Sequence, residues 1–112
     1  MLSNSFDYSD PYLADWKYKK IMEQIQEFEN NLDDNTEVAI QLSAFGKSVV
    51  MAVHEISFQN PDLLYFYGVV DNQPAQLIQH ISQLNFLLIA VKKPDSSNKA
   101  RRLAVGFHYP GR

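Results

Sequence analysis

The sequence predicts an α+β fold: an N-terminal amphipathic helix packed on a strongly bent antiparallel β-sheet or small barrel. Three observations lead there. A helical apolar stripe runs through the first third of the chain, alternation with period two begins after Glu37, and turn signals recur at short intervals from there on. With 112 residues the chain is expected to form a single domain, with a flexible N-terminus over residues 1–10, a helix over 11–32 and a β-rich core over 37–109.

Asp10-Pro11 reads as the helix start, because an aspartate accepts from free N–H groups and a proline at the first helical position loses no hydrogen bond. Ala14, Tyr18, Ile21, Ile25, Phe28 and Leu32 then recur at spacings of 4, 3, 4, 3 and 4, which is one helical stripe. Trp16, Lys17, Lys19, Lys20, Glu23, Gln24 and Glu27 fall mostly off it, on a face expected in water. The stripe is expected to pack on the sheet, and its spacing leaves open a seam for a second copy of the helix. The helix is expected to stop near Asn30 to Asp34, where the side chains compete for backbone hydrogen bonds.

Val38, Ile40 and Leu42 alternate with Ala39 and Gln41 up to a glycine turn at Ala44 to Lys47. Ser48 to Phe58 is a long second strand, expected to carry Val50, Ala52, Ile56 and Phe58 on one face and Val49, Met51 and Val53 on the other. Asn60-Pro61-Asp62 is a turn, Leu63 to Val70 a third, almost wholly apolar strand, and Asp71 to Pro74 a further hairpin connection. Residues 75–93 fit either a helix with Leu77, Ile81, Leu84, Leu88 and Val91 on one stripe or two strands broken at Ser82 to Asn85. The short connection before them favours strands. Pro94 to Asn98 is a polar loop, and Leu103 to Tyr109 reads as a last short strand.

Composition narrows the function classes. The chain is 46% hydrophobic, 12% aromatic and 21% charged, with no cysteine, so disulfide frameworks, thiol chemistry and cysteine-ligated metals are excluded. No apolar run approaches the roughly 20 residues of a spanning helix, and the first ten residues lack the basic start and apolar stretch of a secretory signal. A cytoplasmic protein without a membrane partner is expected. Net charge is −3, divided between an acidic stretch of −6 over residues 1–37 and a basic one of +3 over 38–112.

No pattern supports catalysis. His54, His80 and His108 have no helical pairing that would set two metal ligands on one face, and the glycines are isolated, so neither a metal site nor a phosphate loop is expected. No sequence context sets Ser43, Ser48, Ser57 or Ser82 against a histidine and an acid, and the carboxylates of the helix and its exit are expected in solvent. His54 reads as a buried, hydrogen-bonded core histidine. The expected ligand-binding residues are Gln79, His80, Ser82 and Asn85, whose groups both donate and accept, beside the cations Lys92, Lys93, Arg101 and Arg102, which are flanked by Phe107, His108 and Tyr109. No cofactor is expected.

The order of elements resembles the Sm-like family, specifically the bacterial Sm-like RNA chaperones, in which a helix precedes a small five-stranded barrel. The matching residues are EVAIQLSAFGKSVV (Glu37 to Val50) and QLIQHIS (Gln76 to Ser82). In that family the fourth strand carries a Lys-His pair at the RNA-binding pore, a position held here by Gln79-His80. LIQHISQLNFLLIAVKK (Leu77 to Lys93), followed by Arg101-Arg102-Leu103, also resembles a family of short bacterial and phage proteins of no assigned function. Small phage proteins are often inhibitors of host defence.

The expected function is therefore a non-catalytic, homo-oligomeric binding module for a nucleotide or for RNA. The homo-oligomer is expected because Val49, Met51, Val53, Leu63, Tyr65 and Tyr67 exceed what one short helix covers. The alternative is a phage-encoded inhibitor that binds a host defence protein through its acidic helix.

Overall fold

The computed structural model describes residues 10–44, 46–94 and 98–107. Helix α1 (Ala14–Glu29) is followed by strands β1 (Thr36–Ala44), β2 (Lys47–Gln59), β3 (Leu63–Val70), β4 (Gln73–His80) and β5 (Leu87–Lys92), with a 3-10 turn (Ile81–Gln83) between the last two. The fold is α+β, as its helical stripe and alternating strands predict. The strand order is β4-β3-β2-β1-β5, every pair is antiparallel, and the sheet is open rather than closed into a barrel.

The helix begins later than the Asp10-Pro11 pair implies. Asp10 accepts from the Tyr12 and Leu13 N–H groups, so it closes a turn ahead of the helix. The first helical N–H groups are instead taken by the β2–β3 turn: Ala14 donates to the Pro61 carbonyl at 2.8 Å and Asp15 to Asn60 Oδ1 at 2.9 Å. A distant loop thus serves as the cap. It also pins the helix across the ends of β2 and β3.

The core lies between α1 and one face of the sheet, and joins Met22 and Ile25 to Val38, Ile40, Met51, Val53, Ile56, Leu64, Phe66 and Ala104. Tyr18 packs on Phe58 and Phe107, and Phe86, leading into β5, meets Phe66 at 5.4 Å between ring centres. The expected division of β2 fails here. Met51 and Val53 are buried together with Ile56, because the register with β3 slips between Val53 and Glu55, leaving His54 as an extra, bulged residue. One extra residue reverses the parity of everything after it.

Gly68 lies opposite the bulge. A Cβ there would sit 2.0 Å from the Ala52 carbonyl oxygen, so only glycine allows β2 this close. The β3–β4 hairpin turns on Asp71 and Asn72, both at positive φ (50° and 64°), as a two-residue connection between right-twisted strands requires.

Residues 103–107 form a turn closed by the Phe107 N–H on the Ala104 carbonyl rather than the expected last strand. Two carboxylates expected in solvent hold this segment instead. Glu29 is 5% and Glu37 4% exposed; Glu29 accepts from the Leu103 and Ala104 N–H groups at 2.7 and 2.9 Å, and Glu37 from that of Arg101 at 2.7 Å. Backbone donors held by carboxylates need no neighbouring strand. The flexible N-terminus expected over residues 1–10 falls, for residues 1–9, outside the described residues, as do Phe45, the middle of the 94–98 loop, His108 and Tyr109.

Candidate binding site

The expected site divides between the two edges of the sheet. Gln79, His80 and Ser82 lie at the end of β4, whereas Lys92 closes β5, and these strands flank the other three. Within one chain the two sets are not adjacent.

At the β4 end alternation separates Gln79 from His80. Gln79 pairs with the fully buried Leu64, and its Oε1 is buried without a hydrogen-bond partner. His80 is exposed and caps the 3-10 turn: its Nδ1 accepts from the Ser82 N–H at 3.1 Å, and its own N–H donates to Gln83 Oε1 at 3.0 Å. With Nδ1 an acceptor, the neutral ring carries its proton on Nε2, 3.2 Å from Asp62 Oδ2. Ser82 Oγ lies 2.8 Å from the same Nδ1. His80 is thus hydrogen-bonded to Ser82 and lies beside the Asp62 carboxylate, a grouping invisible in the sequence because Asp62 comes from the β2–β3 turn. Asn85 lies elsewhere, beside Gln41, Ser48 and Phe86 on a cleft of about 260 Å³.

The basic cluster does mostly internal work. Arg102 Nη1 donates to the Thr36 and Arg101 carbonyls and Nη2 to that of Asp33, while Arg101 Nη2 lies 3.2 Å from Glu37 Oε1. Lys93 Nζ donates to the Asn98 carbonyl at 2.7 Å. Lys92 is exposed.

A different surface collects unengaged groups. On the sheet face opposite the core, the register sets Glu55, Tyr67 and Gln76 in one row across β2, β3 and β4, with Ser57, Tyr65 and Ile78 in the next. Tyr65 stacks on Tyr67 at 6.3 Å, and its hydroxyl donates to Gln59. Glu55, Tyr67 and Gln76 border an open depression of about 460 Å³ together with His54, Gly68 and Ala75. Contrary to expectation, His54 is exposed. Its pKa is lowered, first by partial burial and then by the Arg101 cation, against a smaller upward pull from Glu37. Sequence reasoning misses this row because the bulge hides it; the isolated glycine in the apolar third strand was the available signal. The same face exposes Ile78 (55%), Leu87 (62%) and Val50 (40%). Among the described residues no group of three or more His, Cys, Asp or Glu is placed to hold a metal ion, and no helix is long and apolar enough to cross a membrane.

Fold and surface together define a helix-on-sheet α+β protein with, among the described residues, an uncovered sheet face and two open edges. Residues 13–107 match the model of the family of unknown function DUF6173, and the chain belongs to that family. No curated protein and no solved structure gives a significant match.

Proposed function

We propose that the protein is a non-catalytic binding module that assembles with copies of itself and binds a nucleotide or RNA. The uncovered sheet face carries this reading. Stacked tyrosines flanked by polar groups are what unpaired bases rest on, while Val50, Ile78 and Leu87 leave apolar surface that a partner copy would cover. Assembly through the open β4 and β5 edges would also bring the His80 end of one copy toward the Lys92 edge of the next. The likeness of the helix-first strand order to Sm-like RNA chaperones supports the same reading.

The test is light scattering on the full chain, joined to binding of single-stranded RNA over a salt series. An oligomer whose RNA affinity falls steeply with salt is expected. Lys92→Ala should flatten that slope, because Lys92 is exposed; Arg101 and Arg102 are poor probes, since they hold the fold. A monomer with no nucleotide or RNA affinity at low salt overturns the proposal. Tight binding of a host defence protein would then select the inhibitor reading, which has weaker support because Glu29 points inward and Glu23 lies 3.6 Å from Lys20.

A further inference from the structure

We propose that the depression beside the β2 bulge is a guanine site, an assignment that rests on the nucleotide-binding reading. Its chemistry is set by three strands in register. Glu55, Tyr67 and Gln76 are direct cross-strand partners, so they share one face with neighbouring strands roughly 4.8 Å apart. Tyr67, steadied by its stack on Tyr65, offers an aromatic surface with a carboxylate on one side and a primary amide on the other. The space beside this row is about 460 Å³ and is also bordered by Gly68, Pro74 and Ala75. The bulge turns His54 toward the same space.

The groups here are also available. At the β4 end, His80, Ser82 and Gln83 are spent on one another, whereas Glu55, Tyr67 and Gln76 make no side-chain hydrogen bond among the described residues. An ionised carboxylate only accepts, and two oxygens side by side call for two adjacent donors. Among the four RNA bases only guanine presents such a pair, its N1–H and N2–H₂. Adenine and cytosine place an acceptor beside their amino group, and uracil flanks its single N–H with two carbonyls. Guanine O6 would accept from the Gln76 amide, and the purine would rest on Tyr67. Glu55 thereby selects the base, Gln76 completes the edge and Tyr67 supplies stacking.

The four nucleoside 5′-monophosphates, titrated separately into the full chain at one low salt concentration, test this. GMP should bind about 10-fold or more tighter than AMP, CMP or UMP. Glu55→Gln should abolish that preference while leaving binding of the other three within about 2-fold, and Glu23→Gln, on the helix, should preserve it. Thermal melts accompany both variants; if Glu55→Gln does not fold, Gln76→Ala takes its place and should reduce GMP affinity selectively. Equal binding of all four nucleotides, or a guanine preference that survives both Glu55→Gln and Gln76→Ala, overturns the guanine site. RNA binding without any monophosphate binding overturns it too, while the module reading stands. Absence of both kinds of binding overturns both.

Discussion

Glu37 and Arg101 are joined twice: Glu37 Oε2 accepts from the Arg101 backbone N–H at 2.7 Å, and Glu37 Oε1 lies 3.2 Å from Arg101 Nη2. The carboxylate is buried at the start of the central part of the sheet, and the arginine belongs to the segment that follows the last strand. One side chain thus fastens the C-terminal segment to β1.

Glu37→Ala should therefore cost about 2–4 kcal/mol, since it strands a backbone donor and an arginine together. Arg101→Lys should cost less, because the backbone hydrogen bond survives and the arginine side chain is partly in solvent. Urea denaturation of the two variants checks the order. Equal losses would mean that the ion pair, not the backbone bond, carries the attachment.

Glu29→Gln keeps the side chain's shape but can satisfy only one of the two amides with its remaining carbonyl oxygen. A cost of about 1–3 kcal/mol is expected. Amide hydrogen exchange should quicken at Leu103 and Ala104 before it does in β2 or β3. Unchanged protection at those two positions would contradict the role given to Glu29.

Gly68→Ala places its new methyl against the backbone carbonyl of Ala52, which no side-chain rotation relieves. The loss should reach or exceed the roughly 3 kcal/mol upper end of ordinary overpacking, with β2 and β3 forced apart at the bulge. A melting temperature near that of wild type would show that the bulge absorbs the change.

His54 sets a pH dependence whose sign follows from its lowered pKa. The unfolded chain takes up the proton at a higher pH than the folded one, so stability is fully present above pH 6.5 and declines as pH falls from there through the folded pKa. His54→Gln should remove that part of the decline. Thermal melts between about pH 5 and 7.5 measure it, and a wild-type profile retained in the variant would assign the effect elsewhere.

Ile25 is 1% exposed in the core between helix and sheet. Ile25→Asp should cost several kcal/mol through lost packing and an unpaired buried charge. A circular dichroism melt close to wild type would place the stripe in solvent.

The sequence by itself determined the helix, most of its apolar stripe, the five strands up to Lys92 and the hairpin turns, because each of these depends on residues within a few positions of one another. Ala14 and Ile25 of the stripe are buried through a 3.6-residue period, joined by Met22, which the stripe left out, and Asp71-Asn72 turns the chain through its own backbone preferences. Even the ambiguous stretch after Pro74 was legible as two strands from the shortness of its approach. Tertiary structure alone decided the remainder, since it depends on groups distant in sequence. The bulge at His54 arises where β2 meets Gly68 of β3, and it brings Ile56 and Phe58, which follow it, onto the face of Met51 and Val53, which precede it. Glu29 and Glu37 look like solvent carboxylates until Leu103, Ala104 and Arg101 arrive from 64 to 75 positions away with unpaired N–H groups. The expected site separated for the same reason: Gln79 and Lys92 are 13 residues apart along the chain, yet strand order assigns them to opposite edges, and register assembles Glu55, Tyr67 and Gln76 in their place.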